Sequence, residues 1–272
     1  MTWRTFNVLN KIAVHLDRKL LRRPGRSLWT ILGLMLLVGV IAAAGIGFSF
    51  YRSHVFSPAR MRGLMNWLRD PDSLSEWRVP AGERCNGAPF QMPTEGYIGF
   101  LWGDSFRWGH HHQGIDIFGG REPGVTPVYA AYSGYLTRLA DWKSTVIIRI
   151  PQDPLHPDRQ IWTYYTHLAS PDGQSYIVDA FPAGVSEVFV EAGTLLGYQG
   201  NYSGTPGNPV GVHLHFSIVK DNGQGGFLNE LDIDNTLDPS PYLGLPLNAW
   251  TNRDQPPVCG VAPQAGAALP DP

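Results

Sequence analysis

Cysteine is almost absent: only Cys85 and Cys259 occur in 272 residues. Two thiols allow one internal connectivity, a single bridge, and an even count suits an oxidising compartment. Charge is absent from residues 27–50, SLWTILGLMLLVGVIAAAGIGFSF. About 20 such residues span the hydrocarbon core as a helix. The run exceeds the h-region of about 7–15 residues in a signal peptide, so it reads as an uncleaved transmembrane anchor, not a leader cut near Ala42-Ala43-Ala44-Gly45. Basic surplus is absent after the leader: residues 1–26 hold seven basic residues against Asp17, whereas 14 basic and 22 acidic residues follow. That excludes the basic folded surface a nucleic-acid-binding domain carries. The same asymmetry places the N-terminus in the cytoplasm and the rest outside, at the cell membrane by a single pass. Arg52, Arg60 and Arg62 weaken this bias without reversing it. Finally, no helix-length periodic run occurs after residue 86, which excludes a helical fold for the main domain.

What is present there is strand and turn. Gly 31, Pro 23 and 12% aromatic residues suit short strands joined by tight turns. Strands are expected at 97–101, 115–118, 127–132, 135–140, 145–150, 160–167, 186–190, 194–199 and 212–219. The fold class is therefore mainly β, an antiparallel β-sheet domain preceded by a single N-terminal transmembrane helix. The expected division is a basic cytoplasmic leader at 1–26, the transmembrane helix at 27–50, a juxtamembrane helix and linker at 51–85, the main domain at 86–249 and a flexible tail at 250–272. Ser57-Pro58 reads as a helix start, with Met61, Leu64, Met65 and Leu68 on one face and Pro71 as the stop. That helix either packs on the domain or lies on the membrane surface. Asp70 to Gly82 reads as a linker, and the proline-rich Pro151–Arg159 as a surface loop that leaves His156 in solvent. Gly39, Ala43 and Gly47 form a ridge of small residues, so a weak homodimer through the anchor is open.

The chemistry gathers in histidines. In Gly211-Val212-His213-Leu214-His215-Phe216, strand alternation puts His213 and His215 on one face and Val212, Leu214 and Phe216 on the other. Upstream, His110-His111-His112-Gln113-Gly114-Ile115-Asp116 contains a His-x-x-x-Asp pair. Gly114 and Ile115 argue against a helix, and a fully extended chain would separate the two side chains by about 13 Å. A bend at Gln113-Gly114 lets them converge. His112, Asp116 and one histidine of the pair then supply two nitrogens and an oxygen, a ligand set for catalytic zinc with its fourth position open to water. His167, in Tyr164-Tyr165-Thr166-His167-Leu168, is a further candidate. No HExxH glutamate is present to serve as base, which leaves histidine for proton transfer. His110 and His111 receive no role.

These motifs, together with Pro127-Val128-Tyr129-Ala130, Gly134 and Gly193-Thr194-Leu195-Leu196-Gly197, resemble the lysostaphin-type zinc endopeptidases that cut the peptide part of bacterial peptidoglycan. The resemblance covers roughly residues 86–245 and implies the duplicated-hybrid-motif β fold. It implies that His112, Asp116 and His215 bind Zn2+, that His167 and His213 are the catalytic pair beside the water, and that the substrate is a peptidoglycan stem peptide or cross-bridge. Two features depart from the family pattern: Ser217 stands where glutamate is frequent, and the loop Gly204–Val210 is long. Both bear on substrate preference. Trp102, Trp108, Tyr164, Tyr165 and Tyr202 are candidate aromatic contacts. The alternatives are an inactive relative that activates a cell-wall hydrolase or acts as a wall-binding scaffold, a carbohydrate-binding module, and a zinc peptidase with another substrate.

Overall fold

The computed structural model describes residues 24–55, 58–105, 109–252 and 255–260. Residues 1–23 of the basic leader, Ser57, Trp108 and the tail from residue 261 lie outside the described residues. The chain divides into two compact units, Met1–Ser53 and His54–Pro272.

In the first, helix α1 (Pro24–Val55) is apolar nearly throughout. Its stretch Trp29–Gly47, 19 residues, is long and apolar enough to cross a membrane by length and composition, and none of it is buried. A helix exposing apolar residues on every side suits hydrocarbon, not water.

The second unit is built on antiparallel strands: β1 (Tyr97–Phe100), β2 (Ile115–Phe118), β3 (Pro127–Tyr129), β4 (Gly134–Thr137), β5 (Val146–Ile150), β6 (Ile161–Thr166), β7 (Val188–Val190), β8 (Leu195–Tyr198), β9 (Leu214–Lys220) and β10 (Thr236–Leu237). Nine of these match the expected runs, with ends that differ by up to three residues. β10 is only two residues long and carries no period to read. One sheet runs β1-β2-β9-β6-β5-β4-β7, with β10 pairing the far end of β9 beside β2, and β3 pairs β8 separately. Core side chains alternate along the strands: Ile115 and Ile117, Leu214, Phe216 and Ile218, and Tyr165 fill one cluster. Asp116, His213, His215 and Ser217 therefore face the other side.

Helix α2 (Pro58–Arg69) packs on this sheet. Its buried positions are Arg60, Gly63, Leu64 and Trp67, whereas Met65 and Leu68 are 45% and 44% exposed. Of the expected face of Met61, Leu64, Met65 and Leu68, the first two pack inward and the last two do not. The helix is rotated because a buried ion pair accommodates Arg60, and because Gly63 admits Tyr97, whose hydroxyl would lie 2.5 Å from a Cβ there. The Asp70–Gly82 segment is not a free linker either. Short 3-10 turns run from Pro71 to Trp77, and Val79 pairs with Gly96 and is fully buried.

A disulfide joins Cys85 to Cys259, 174 residues apart, with Cα atoms 5.0 Å apart. Between β5 and β6 the proline-rich loop exposes His156, yet its Asp153 is fully buried, accepting from Arg159 Nε at 2.6 Å and from the Tyr242 hydroxyl at 2.7 Å. Tyr242 lies in the single-turn helix α3 (Ser240–Leu243).

Candidate active site

Strand register assembles the site. β9 lies between β2 and β6, and His215 is paired with Asp116 on one side and Thr166 on the other. Asp116 and His215 thus point out of the same face as direct cross-strand neighbours. His213 precedes β9 on that face, bridged to Gly200, and His167 follows the last residue of β6. The bend before β2 forms at Gly114, where a Cβ would lie 2.2 Å from the Phe216 carbonyl oxygen. Only glycine permits so close an approach to β9, and that approach returns His112 towards Asp116.

Three atoms converge there. His112 Nε2 is 3.1 Å from Asp116 Oδ1 and 3.0 Å from His215 Nδ1, which is itself 2.9 Å from Asp116 Oδ1. Backbone acceptors settle the histidine tautomers, because a carbonyl oxygen accepts and never donates. His112 Nδ1 donates to Leu101 O at 3.0 Å, which leaves Nε2 with its lone pair. His215 Nε2 donates to Glu230 Oε1 at 2.8 Å, which directs Nδ1 inward. The centre is therefore a buried triangle of acceptors, and such a triangle calls for a cation. Burial opposes charge on His215, yet Glu230 and Asp116 outweigh it and lift its pKa to about 10. A proton on His215 and a metal cation answer the same requirement of this acceptor triangle. Burial by itself would raise Asp116, but its histidine neighbours, His112 and His213 with His215 beside them, hold it well below the usual carboxylate range.

The donor set fits zinc. Tetrahedral coordination at about 2.0–2.1 Å needs ligand atoms about 3.3 Å apart, close to the separations found. His112, Asp116 and His215 form the three-residue group able to hold a metal among the described residues.

His167 and His213 lie beside this group, ring centroids 4.5 Å apart. His167 Nδ1 donates to Tyr202 O at 2.7 Å and His213 Nδ1 to Gly211 O at 2.6 Å. Each keeps Nε2 as its basic atom, and that of His213 is 3.5 Å from Asp116 Oδ1. Burial, reinforced by the charges of His213 and His215, pushes His167 down to about 3; burial lowers His213 as well. Both are neutral imidazoles at neutral pH. His167 also sits at φ +71°, a left-handed conformation that costs a non-glycine residue about 1–3 kcal/mol and gathers at functional sites.

All five side chains line a cleft of about 690 Å³. Of the aromatic candidates, Tyr164 and Tyr202 line it, Tyr165 is core, and Trp102 instead donates to Thr236 Oγ1 and packs edge-on to Trp250. The long loop contributes Gly204 and Val210 to the rim. His110 lines the cleft, and His111 is exposed beside Trp250. Sequence reasoning missed Glu230. It stands in the glycine-containing loop between β9 and β10, where no period or motif marks it, and is 9% exposed. Burial would raise its pKa, but His215 outweighs that and lowers it.

No family model matches the chain, and no curated protein does. Among solved structures, the catalytic domain of the antimicrobial peptidase lysostaphin from Staphylococcus simulans is 22% identical, with 54% of this chain and 92% of that one covered and a TM-score of 0.36. A second lysostaphin structure is also 22% identical with a TM-score of 0.35; the match covers 54% of this chain and 49% of that one, about half its length. A catalytic-domain mutant of the prophage-encoded M23 protein EnpA from Enterococcus faecalis is 22% identical over 56% of this chain and 94% of that one, with a TM-score of 0.33. The solved structures to which this chain is similar include lysostaphin and M23 peptidase proteins.

Proposed function

We propose that the chain is a membrane-anchored zinc metalloendopeptidase of the lysostaphin type that hydrolyses peptide bonds in peptidoglycan stem peptides or cross-bridges. The observation that carries this reading is the buried triangle of His112, Asp116 and His215 acceptor atoms beside two neutral imidazoles in one cleft. The motifs surrounding these residues resemble the same family.

In this reading His112 Nε2, Asp116 Oδ1 and His215 Nδ1 hold zinc, and Glu230 orients His215 through its Nε2 proton. Zinc supplies Lewis acidity towards the scissile carbonyl and acidifies water. His167 and His213 move protons at Nε2: one accepts from the attacking water, and a proton is returned to the leaving amine. Phe118, stacked on His213 with centroids 4.9 Å apart, holds that ring in place. Tyr164, Tyr202 and Val210 offer apolar surface to the substrate. Residues 86–249 form the peptidase domain, and α1 anchors it to the cell membrane with the cleft outside; the Gly39, Ala43, Gly47 ridge allows two anchors to pair weakly.

Metal analysis of the purified full chain tests the site. One zinc per chain is expected, lost in Asp116→Ala; a wild type that binds zinc no better than Asp116→Ala contradicts the reading.

A further inference from the structure

Helix α2 reaches the proposed site along two lines. The first begins at Arg60, 4% exposed, whose Nη2 donates to Asp104 Oδ1 and whose Nη1 donates to Asn252 O at 3.3 Å. Asp104 Oδ2 accepts from Leu101 N at 2.7 Å, so both carboxylate oxygens are engaged. Residues 101–104 in turn wrap His112. Leu101 O accepts from its Nδ1 at 3.0 Å, Asp104 O accepts from its backbone N–H at 2.6 Å, and Gly103 N donates to its carbonyl at 2.8 Å. The second line begins at Trp67, whose Nε1 donates to Phe118 O at 2.8 Å. Leu64 and Trp67 pack with Phe118 and Tyr97, and Phe118 is the ring stacked on His213.

A buried ion pair is not needed for stability, since apolar residues of similar volume often serve as well or better. What the pair contributes here is direction. It clamps a carboxylate whose second oxygen and main chain fix the loop that holds His112. Partners outside the ligand set that orient a metal-binding histidine typically govern metal affinity by about 10- to 100-fold.

We infer that Arg60 and Asp104 are positioning residues for His112, so that the helix preceding the β domain is part of the catalytic apparatus and not only a tether. The inference rests on the zinc reading of His112, Asp116 and His215. It assigns a task to a segment that the motifs do not reach.

The test uses the full chain in detergent and measures zinc affinity by competition with a chromophoric chelator, alongside the melting temperature of the zinc-free protein. Removing one charge alone strands the other, so the principal variant is the double Arg60→Met/Asp104→Asn; the single Asp104→Asn, which keeps the side-chain shape and leaves Arg60 its bond to Asn252 O, is the second. The control is Arg159→Met/Asp153→Asn, which neutralises another ion pair, between buried Asp153 and exposed Arg159 in the β5–β6 loop. The expected result is zinc affinity weakened about 10- to 100-fold in the double variant and in the same direction in Asp104→Asn. Arg60→Lys, which keeps the charge, recovers most of it. The control keeps wild-type affinity at an equal or lower melting temperature. Unchanged zinc affinity in Asp104→Asn and the double variant overturns the inference alone, as does an equal loss in the control. A wild type that binds zinc no better than Asp116→Ala overturns the site reading itself.

Discussion

His167 and His215 face the same cleft, yet their surroundings set them to different tasks. His215 hydrogen-bonds both Asp116 and Glu230, whereas His167 has no carboxylate hydrogen-bond partner among the described residues and lies against a backbone carbonyl and other histidines. Replacing His112, Asp116 or His215 by Ala should abolish stoichiometric zinc, since two remaining ligands bind weakly. His167→Ala should keep zinc while hydrolysis slows by about 10²- to 10⁴-fold, the usual size of a general acid or base contribution. Equal zinc loss in His167→Ala and His215→Ala would show the roles to be wrongly divided. The left-handed backbone at His167 gives a second expectation: His167→Gly should be more stable than His167→Ala by about 1 kcal/mol in thermal or denaturant unfolding. A pH dependence follows as well. The folded pKa of His167, about 3, lies below its unfolded value, so the unfolded chain binds the proton first. Its contribution is fully present above about pH 6.5 and is lost as pH falls towards 3, by up to about 1.4 kcal/mol per pH unit. Denaturant titrations of the metal-free protein from pH 7 to 5 should show wild type losing stability relative to His167→Ala; parallel curves would contradict this.

At the scale of elements, alternation along β9 is the feature most legible in the sequence. His213 and His215 between Val212, Leu214 and Phe216 could share only one face of a strand, and the structure places them so. The convergence of His112 and Asp116 was legible through Gly114, which no helix favours at that point. Three things were not legible, each for a physical reason. Strand order depends on contacts between distant segments, so no local pattern announces that β9 lies between β2 and β6. The buried stripe of α2 contains an arginine and a glycine, which a count of apolar residues passes over. Glu230 is a single acid on a loop, and its meaning comes only from His215 across the fold. That contact carries its own prediction: Glu230→Gln should weaken zinc binding by about 10- to 100-fold, because a neutral amide supports the His215 Nε2 proton less well. Wild-type affinity in Glu230→Gln would show that the carboxylate does not orient this ligand.

For the whole molecule, the disulfide between Cys85 and Cys259 ties the chain before β1 to the chain after α3. A loop of this length contributes up to about 4–5 kcal/mol in the chain-entropy account, and engineered cases often give less. Reduction should therefore lower the unfolding midpoint of the zinc-free protein by a measurable part of that; an unchanged midpoint under reductant would mean the bridge is idle. The anchor reading predicts that protease added to intact cells removes everything after about residue 51 and leaves the N-terminus protected. Protein free in the medium and starting near Gly45 would instead favour a cleaved leader. The proposed function is cleavage of the peptide part of peptidoglycan in this cleft with zinc in place. The most direct measurement is mass analysis of defined cross-linked muropeptides incubated with the purified full chain, with and without chelator. New peptide termini from hydrolysis of one bond type are expected, abolished by chelator and restored by zinc. Intact muropeptides after incubation with the zinc-loaded protein, or cleavage that persists in chelator, would contradict it.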